Sequence, residues 1–267
     1  MSLITLNFQS HALVAPATIT VLLPPLFFDI NDSRSYDEIY KPIKKLKTLF
    51  LFHGACADSS SWLHGSNIQR YAAEHNLAVV LPSVANSFYA DLEHGSAYWT
   101  FISEELPRYV RSVLPLSDKK EDNFVAGLSM GGYGALKLGL NKPDQFAAAI
   151  SLSGVVDIVA AFKNPIHPIF SIEDYFGSFE KLEKSYNDLF TQIKKLKNQD
   201  VSIPRLYLAC GTEDFLYEMN IKFRDFLIDN SIDFTFEEGP GIHDWGFWDK
   251  YIQRGLDWLE SFSKNLD

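Results

Sequence analysis

The chain has 267 residues, 46% of them hydrophobic and 22% charged, with Lys+Arg 24 against Asp+Glu 34, a formal net charge of −10 at pH 7. That length fits one large domain or two small ones, and so apolar a composition is foreign to disordered chains and ample for a buried core. An acidic chain with no dense run of lysine and arginine repels phosphate backbones and anionic headgroups, which excludes nucleic acid and an anionic membrane surface as partners.

The amino terminus, Met1 to Phe8, alternates polar and apolar residues without the basic start and unbroken apolar stretch of a signal peptide, and predicts a strand over 3–8. A second strand, 18–23, follows with no helix between and stops at Pro24-Pro25, so an antiparallel pair at a sheet edge is expected. After a polar, lysine-rich link at 31–47, β-branched and aromatic runs at 48–52, 78–81, 123–126, 147–152, 205–209 and 233–237 read as strands. Helical patterns separate them at 61–75, 100–113, 130–140, 216–230 and 247–263; Phe101, Leu106, Val110 and Val113 form one apolar stripe. The alternation predicts an α/β fold: a three-layer sandwich around a mostly parallel eight-stranded sheet, antiparallel at its N-terminal edge, forming a single domain over 1–267. Residues 155–202, after the sixth strand, break the alternation with Pro165, Pro168, scattered aromatics and a charged half; so long an insertion predicts a lid or cap. No apolar run approaches the ~20 residues that span a bilayer. The two cysteines, Cys56 and Cys210, form neither a disulfide framework nor a metal-type Cys-x-x-Cys pair, so a reduced, cytoplasmic setting is expected, with no metal and no cofactor.

The most specific motif is Gly127-Leu128-Ser129-Met130-Gly131, lying where a strand ends and a helix begins. That is the context of a nucleophile elbow: the serine occupies a sharp, strained turn, and the flanking glycines let strand and helix pack closely enough to present its hydroxyl. A serine hydroxyl is a weak nucleophile at neutral pH and needs a base, which in turn needs an acid to hold its tautomer. In this fold the chain order is Ser, then Asp or Glu, then His. Of the seven histidines only His167 and His243 follow Ser129, and His243 sits in the glycine-rich loop Gly239-Pro240-Gly241-Ile242-His243 after the last strand. His167, between prolines in the insertion, reads as a lid residue. Asp214, in Gly211-Thr212-Glu213-Asp214-Phe215 after the strand at 205–209, is the expected acid, with Glu213 as its alternative. Asp244 and Asp249 follow the histidine at the opening of a helix, where carboxylates favour the helix amino terminus.

A tetrahedral intermediate needs two backbone donors for its oxyanion, here Met130, next to the nucleophile, and Ala55, in the loop His53-Gly54-Ala55-Cys56 after the third strand. His53 reads as a structural histidine and Cys56 as a small packing residue. Trp62, Tyr89, Tyr98, Trp99 and Trp245 fall on the predicted active edge and are expected to wall the substrate pocket. Asp58, Glu213, Glu218 and Asp244 are expected near the same edge, favouring a small neutral ester over anionic ones.

His53-Gly54, Ser61-Trp62, Val80-Leu81-Pro82, the extended elbow Gly127 to Gly134, the run Cys210 to Glu218 and Gly241-Ile242-His243-Asp244-Trp245 together resemble the bacterial tributyrin esterases of the esterase D group of α/β-hydrolases. The resemblance implies an intracellular carboxylesterase for short acyl esters, with Ser129, Asp214 and His243 as triad and Ala55 and Met130 as oxyanion donors. It also implies a homo-oligomer, which the group often forms. S-formylglutathione hydrolases of the group carry a histidine-rich elbow and a Gly-Leu-Thr-Cys loop; this chain has Leu128, Tyr133 and Gly54-Ala55-Cys56 instead. Thioesterase and carbohydrate deacetylase remain the alternatives among enzymes, and a binding protein on an inactive hydrolase fold is the alternative outside them.

Overall fold

Eight strands hydrogen-bond into one sheet in the computed structural model, which describes residues 1–26, 31–41 and 44–263. They are β1 (Ser2–Ser10), β2 (Ala15–Leu23), β3 (Thr48–Phe52), β4 (Ala78–Pro82), β5 (Asn123–Leu128), β6 (Ala148–Leu152), β7 (Arg205–Gly211) and β8 (Phe234–Gly239), in the spatial order β1-β2-β4-β3-β5-β6-β7-β8. The β1–β2 and β2–β4 pairs are antiparallel and every later pair is parallel. All eight predicted strands and the antiparallel edge are present. The fold is an α/β-hydrolase sandwich. Of the predicted link at 31–47, residues 42–43 lie outside the described residues.

Both sheet faces are covered, which is why the central strands read as unbroken apolar runs. Phe50 and Phe52 of β3 point into one core, and Leu49 and Leu51 into the other. On the first face lie α3 (Leu106–Val113), α4 (Met130–Asn141), α5 (Leu189–Asn198) and α6 (Tyr217–Asp229); on the second lie α1 (Ser61–Gly65), α2 (Ile68–Glu74) and α7 (Trp245–Ser263). No helix among the described residues is long and apolar enough to cross a membrane.

Two predicted helices are interrupted. The 61–75 pattern breaks at Ser66-Asn67, where Asp249 Oδ1 of α7 accepts from the Asn67 N–H (2.9 Å) and the Tyr71 hydroxyl (3.0 Å). The 100–113 pattern contains a π-helical turn, Phe101–Glu105, ahead of α3. The insertion holds three short helices, Ile158–Lys163, Ile172–Phe176 and Phe179–Leu182, before α5; its Phe162, Phe170 and Tyr175 pack around Phe88 in the first core.

The winding places the site. From β3 the chain crosses to β4 on one side, and from β5 to β6 on the other. The loops leaving the carboxyl ends of β3 and β5 therefore diverge and open a crevice at the switch point of the sheet.

Candidate active site

Ser129 joins β5 to α4 with φ 54° and ψ −120°, a backbone conformation that costs an L-residue energy and persists only where its surroundings hold it. The Ser129 N–H donates to Leu152 O (2.9 Å), and its carbonyl accepts from Val155 N–H (3.2 Å). Gly127 and Gly131 make the turn sterically feasible. A Cβ on Gly127 would lie 2.3 Å from Gly131 O, and one on Gly131 would lie 2.5 Å from Phe52 O. The close approach of α4 to β3 thus has no room for a methyl group.

Three loops bring three side chains into line. The Ser129 hydroxyl lies 3.0 Å from His243 Nε2, and His243 Nδ1 lies 3.0 and 2.9 Å from the two carboxylate oxygens of Asp214. Asp214's side chain is fully buried. Burial alone would raise its pKa, but hydrogen bonds from His243, the Leu216 N–H (2.8 Å) and the Ser153 hydroxyl outweigh that and hold it below the usual carboxylate value. An ionised carboxylate only accepts, so Nδ1 carries the imidazole proton and Nε2 is left to accept from Ser129. Glu213 turns elsewhere: its carboxylate accepts from the Gly241 N–H (2.7 Å) while its own N–H donates to Gly241 O (3.1 Å), fastening the histidine loop to the loop after β7. Asp244 caps α7 through the Phe247 N–H (3.2 Å).

The loop after β3 is built on His53. Val84 N–H donates to His53 Nε2 (3.1 Å), Nδ1 donates to Gly54 O (2.7 Å), and burial lowers the pKa of the ring, keeping it neutral. Gly54 packs against the elbow; a Cβ there would meet Leu128 Cδ1 at 2.8 Å and Ser129 Cβ at 3.4 Å. Asn86 Oδ1 takes the Cys56 N–H (2.7 Å). Ala55 borders the same cavity as Ser129, and Met130, first residue of α4, has an N–H with no acceptor within its helix.

That cavity, of about 770 Å³, is floored by Ser129 and His243 and walled by Leu128, Phe215, Trp245, Trp248 and Ile166, with Asp58, Ser60, Ser61 and His64 on its polar side. Of the aromatics expected there, only Trp245 borders it. Trp62 is fully buried behind Trp245, edge-on at 5.2 Å, with its indole N–H on Phe52 O (3.0 Å). Tyr89 is a core residue stacked on Phe52 (4.5 Å), its hydroxyl donating to His53 O (2.8 Å). Trp99 packs over Lys137 Nζ (4.8 Å), and Tyr98 faces a separate hollow of about 370 Å³. Each of these three rings, Trp62, Tyr89 and Trp99, is drawn away from the cavity by a polar partner that only the folded chain supplies. Of the four carboxylates expected at the edge, Asp58 borders the cavity, held ionised by the Ser60 hydroxyl and N–H.

Sequence reading missed Phe215, Trp248, His64 and Ile166. Phe215, 63% exposed with its ring 4.5 Å from that of His243, was legible in principle because it directly follows Asp214. Ile166, 75% exposed, is the part of the insertion that reaches the cavity; its neighbour His167 bonds locally, Nδ1 accepting from Ile169 N–H (3.2 Å).

The chain is similar to known esterases over almost its whole length. The family described as "Putative esterase" matches residues 10–259. An acetyl esterase of Caldicellulosiruptor saccharolyticus is 37% identical over 270 residues, which is 98% of this chain and 100% of that protein. The substrate-bound structure of fluorophosphonate-binding serine hydrolase F from Staphylococcus aureus superposes with a TM-score of 0.87 at 37% identity, covering 97% of this chain and 98% of that one. The apoenzyme of the S-formylglutathione hydrolase FrmB from Staphylococcus aureus gives a TM-score of 0.84 at 36% identity, again over 97% and 98%. The chain therefore belongs to this esterase family of α/β-hydrolases and is a serine ester hydrolase.

Proposed function

We propose that the protein is a carboxylesterase for short acyl esters, acetyl to butyryl, working through an acyl-enzyme on Ser129. The observation that carries this reading is the unbroken hydrogen-bond line from buried Asp214 through His243 to Ser129, opening on a cavity. His243 Nε2 takes the Ser129 proton as Oγ attacks the ester carbonyl, and then gives it to the departing alcohol. Water repeats the sequence on the acyl-enzyme and regenerates Ser129. The Ala55 and Met130 N–H groups hold the oxyanion, and Asp214 fixes the imidazole tautomer throughout. The short-chain preference draws on the full-length likeness to an acetyl esterase. An uncharged ester is favoured by the Asp58 carboxylate at the cavity wall.

Ser129→Ala is expected to abolish hydrolysis of p-nitrophenyl acetate and butyrate with the thermal transition unchanged; a pure, folded variant that still turns over sinks the assignment. An acyl series from two to twelve carbons tests the chain-length preference, with an optimum at two to four expected and long-chain activity contradicting it. A second reading, thioester hydrolysis of the S-formylglutathione kind, is favoured by the likeness to FrmB. Comparing kcat/KM on S-formylglutathione, acetylated sugars and simple esters decides between thioesterase, deacetylase and general esterase.

A further inference from the structure

The peptide units that run from His53 to Cys56 are each held by a hydrogen bond that traces, directly or through the His53 ring, to one loop, residues 83–90 after β4. The His53 carbonyl accepts from the Tyr89 hydroxyl (2.8 Å), which fixes the unit His53–Gly54. The Gly54 carbonyl accepts from Nδ1 of the His53 ring (2.7 Å), and that ring is itself held at Nε2 by the Val84 N–H (3.1 Å). The Cys56 N–H donates to Asn86 Oδ1 (2.7 Å), which fixes the unit Ala55–Cys56. The middle unit carries the Ala55 N–H. In a planar trans peptide the C=O and N–H point in opposite directions, so tying Gly54 O to the imidazole sets where the Ala55 N–H aims. The loop that does the tying is anchored in turn: Lys137 Nζ of α4 donates to Tyr89 O (2.8 Å), and the Tyr175 hydroxyl of the insertion donates to Asn86 O (2.6 Å). Its backbone has φ 48° at Ala85, 48° at Phe88 and 52° at Tyr89, and Cys56 across from it has φ 59°. Such conformations persist only where the surroundings over-determine them, and here they gather on the two loops that these hydrogen bonds join.

We propose that Tyr89 and Asn86 are positioning residues for ester hydrolysis: they hold the peptide units on either side of Gly54–Ala55 and so keep the Ala55 N–H aimed at the oxyanion of the tetrahedral intermediate. The proposal rests on the reading of Ser129 as nucleophile and of Ala55 as an oxyanion donor. Neither Tyr89 nor Asn86 borders the cavity, so both act through the backbone they hold. The two oxyanion donors sit on different elements, Met130 at the start of α4 and Ala55 in the loop after β3. Tyr89 reaches both: its carbonyl accepts from Lys137 of α4 and its hydroxyl donates to His53 O, so it sets the spacing of the loop from the helix. An oxyanion hole stabilises the transition state because its donors are already aimed when the charge develops. Loosening one of them is therefore felt in kcat and not in ground-state binding.

The test uses Tyr89→Phe, which removes the hydroxyl and keeps the ring stacked on Phe52, Asn86→Ala, which removes the acceptor for the Cys56 N–H and keeps the carbonyl that Tyr175 binds, and the double variant. Each is assayed on p-nitrophenyl acetate, with turnover expressed per site titrated by a fluorophosphonate, and by inhibition with a short-chain alkyl trifluoromethyl ketone, whose adduct with Ser129 bears an oxyanion. Each single variant is expected to lower kcat about tenfold, the scale of one hydrogen bond, with KM unchanged, and to weaken the ketone by the same factor. The double variant is expected to lose about 10²–10³, the cost of one whole oxyanion donor. A merely structural role lowers the number of titrated sites and leaves turnover per site and ketone inhibition as they were. That result in folded Tyr89→Phe overturns the inference, and Asn86→Ala decides it in the same way should Tyr89→Phe not fold. A loss carried by KM with kcat intact overturns it too. Wild-type protein that fails to label at Ser129 instead removes the nucleophile reading on which the inference stands, a failure distinct from unmoved kinetics in the variants.

Discussion

Gly131 and Asp214 show how single residues carry this site. A methyl group on Gly131 meets backbone oxygens of Phe52 and His53 at 2.5 and 2.6 Å, and strand backbone cannot rotate aside as a side chain would. Gly131→Ala is therefore expected to lose about 1–3 kcal/mol of stability and most of its esterase activity, read by urea denaturation and p-nitrophenyl acetate turnover. Asp214 and Glu213 are adjacent acids with opposite duties. Asp214→Asn presents an amide that no longer enforces the productive tautomer and is expected to cut kcat by about 10³–10⁴. Glu213→Gln keeps an oxygen for the Gly241 N–H and is expected to retain activity within about tenfold. Equal losses in the two variants would contradict the division of roles. The motif in the sequence marked Ser129 and its glycines because the required turn has few solutions. The sequence points to Asp214 but leaves Glu213 as its alternative, because what separates the two is where Gly241 and His243 sit, in a loop folded from another part of the chain.

The elements were most legible where burial imposes a simple pattern. Strands β3 to β7 are covered on both faces and read as apolar runs, and β1 and β2 betray the sheet edge by lacking a helix between them. Less legible were the features set by one distant side chain. Nothing near Asn67 announces that Asp249, far along the chain, will hold its N–H and split a helix in two. The π-turn before α3 is similar. Glu105 lies in it and accepts from the Ser10 hydroxyl and the N–H groups of His11 (2.7 Å) and Ala12 (3.1 Å), clasping the turn between β1 and β2. Partial burial raises the Glu105 pKa, but these three donors overcome it and hold the carboxyl below its ordinary 4.5. A carboxyl depressed in the folded state contributes stability above its unfolded pKa and loses it as pH falls through the folded one. Glu105→Gln is accordingly expected to cost about 1 kcal/mol at pH 7, with the gap to wild type closing below about pH 4.5. Thermal melts of both proteins from pH 7 to 3.5 check the sign; a gap that widens in acid would refute it.

At the scale of the whole molecule, a chain of net charge −10 surrounds a cavity whose polar wall includes the Asp58 carboxylate. The Ser60 hydroxyl and N–H hold that carboxyl below its ordinary value, so it is charged throughout the neutral range. An approaching anionic ester meets repulsion from the global field and from this one nearby charge, and the two respond differently to salt. Long-range repulsion falls off within a Debye length of about 8–10 Å near physiological ionic strength, whereas a charge a few ångströms from bound substrate is screened far less. For an ester bearing a carboxylate, kcat/KM is expected to rise as salt goes from 10 to 200 mM, while p-nitrophenyl acetate stays flat. Asp58→Asn is expected to raise the anionic substrate's kcat/KM several-fold, about 1 kcal/mol for one like charge near the surface, and to leave the gain in place at high salt. If the variant's advantage vanishes at 200 mM, Asp58 acts only as part of the general field, and selection against anions belongs to the −10 of the whole surface. If it persists, the local carboxylate is the selective element, and the composition that first argued against phosphate partners is a background to a choice made by one side chain in the cavity wall.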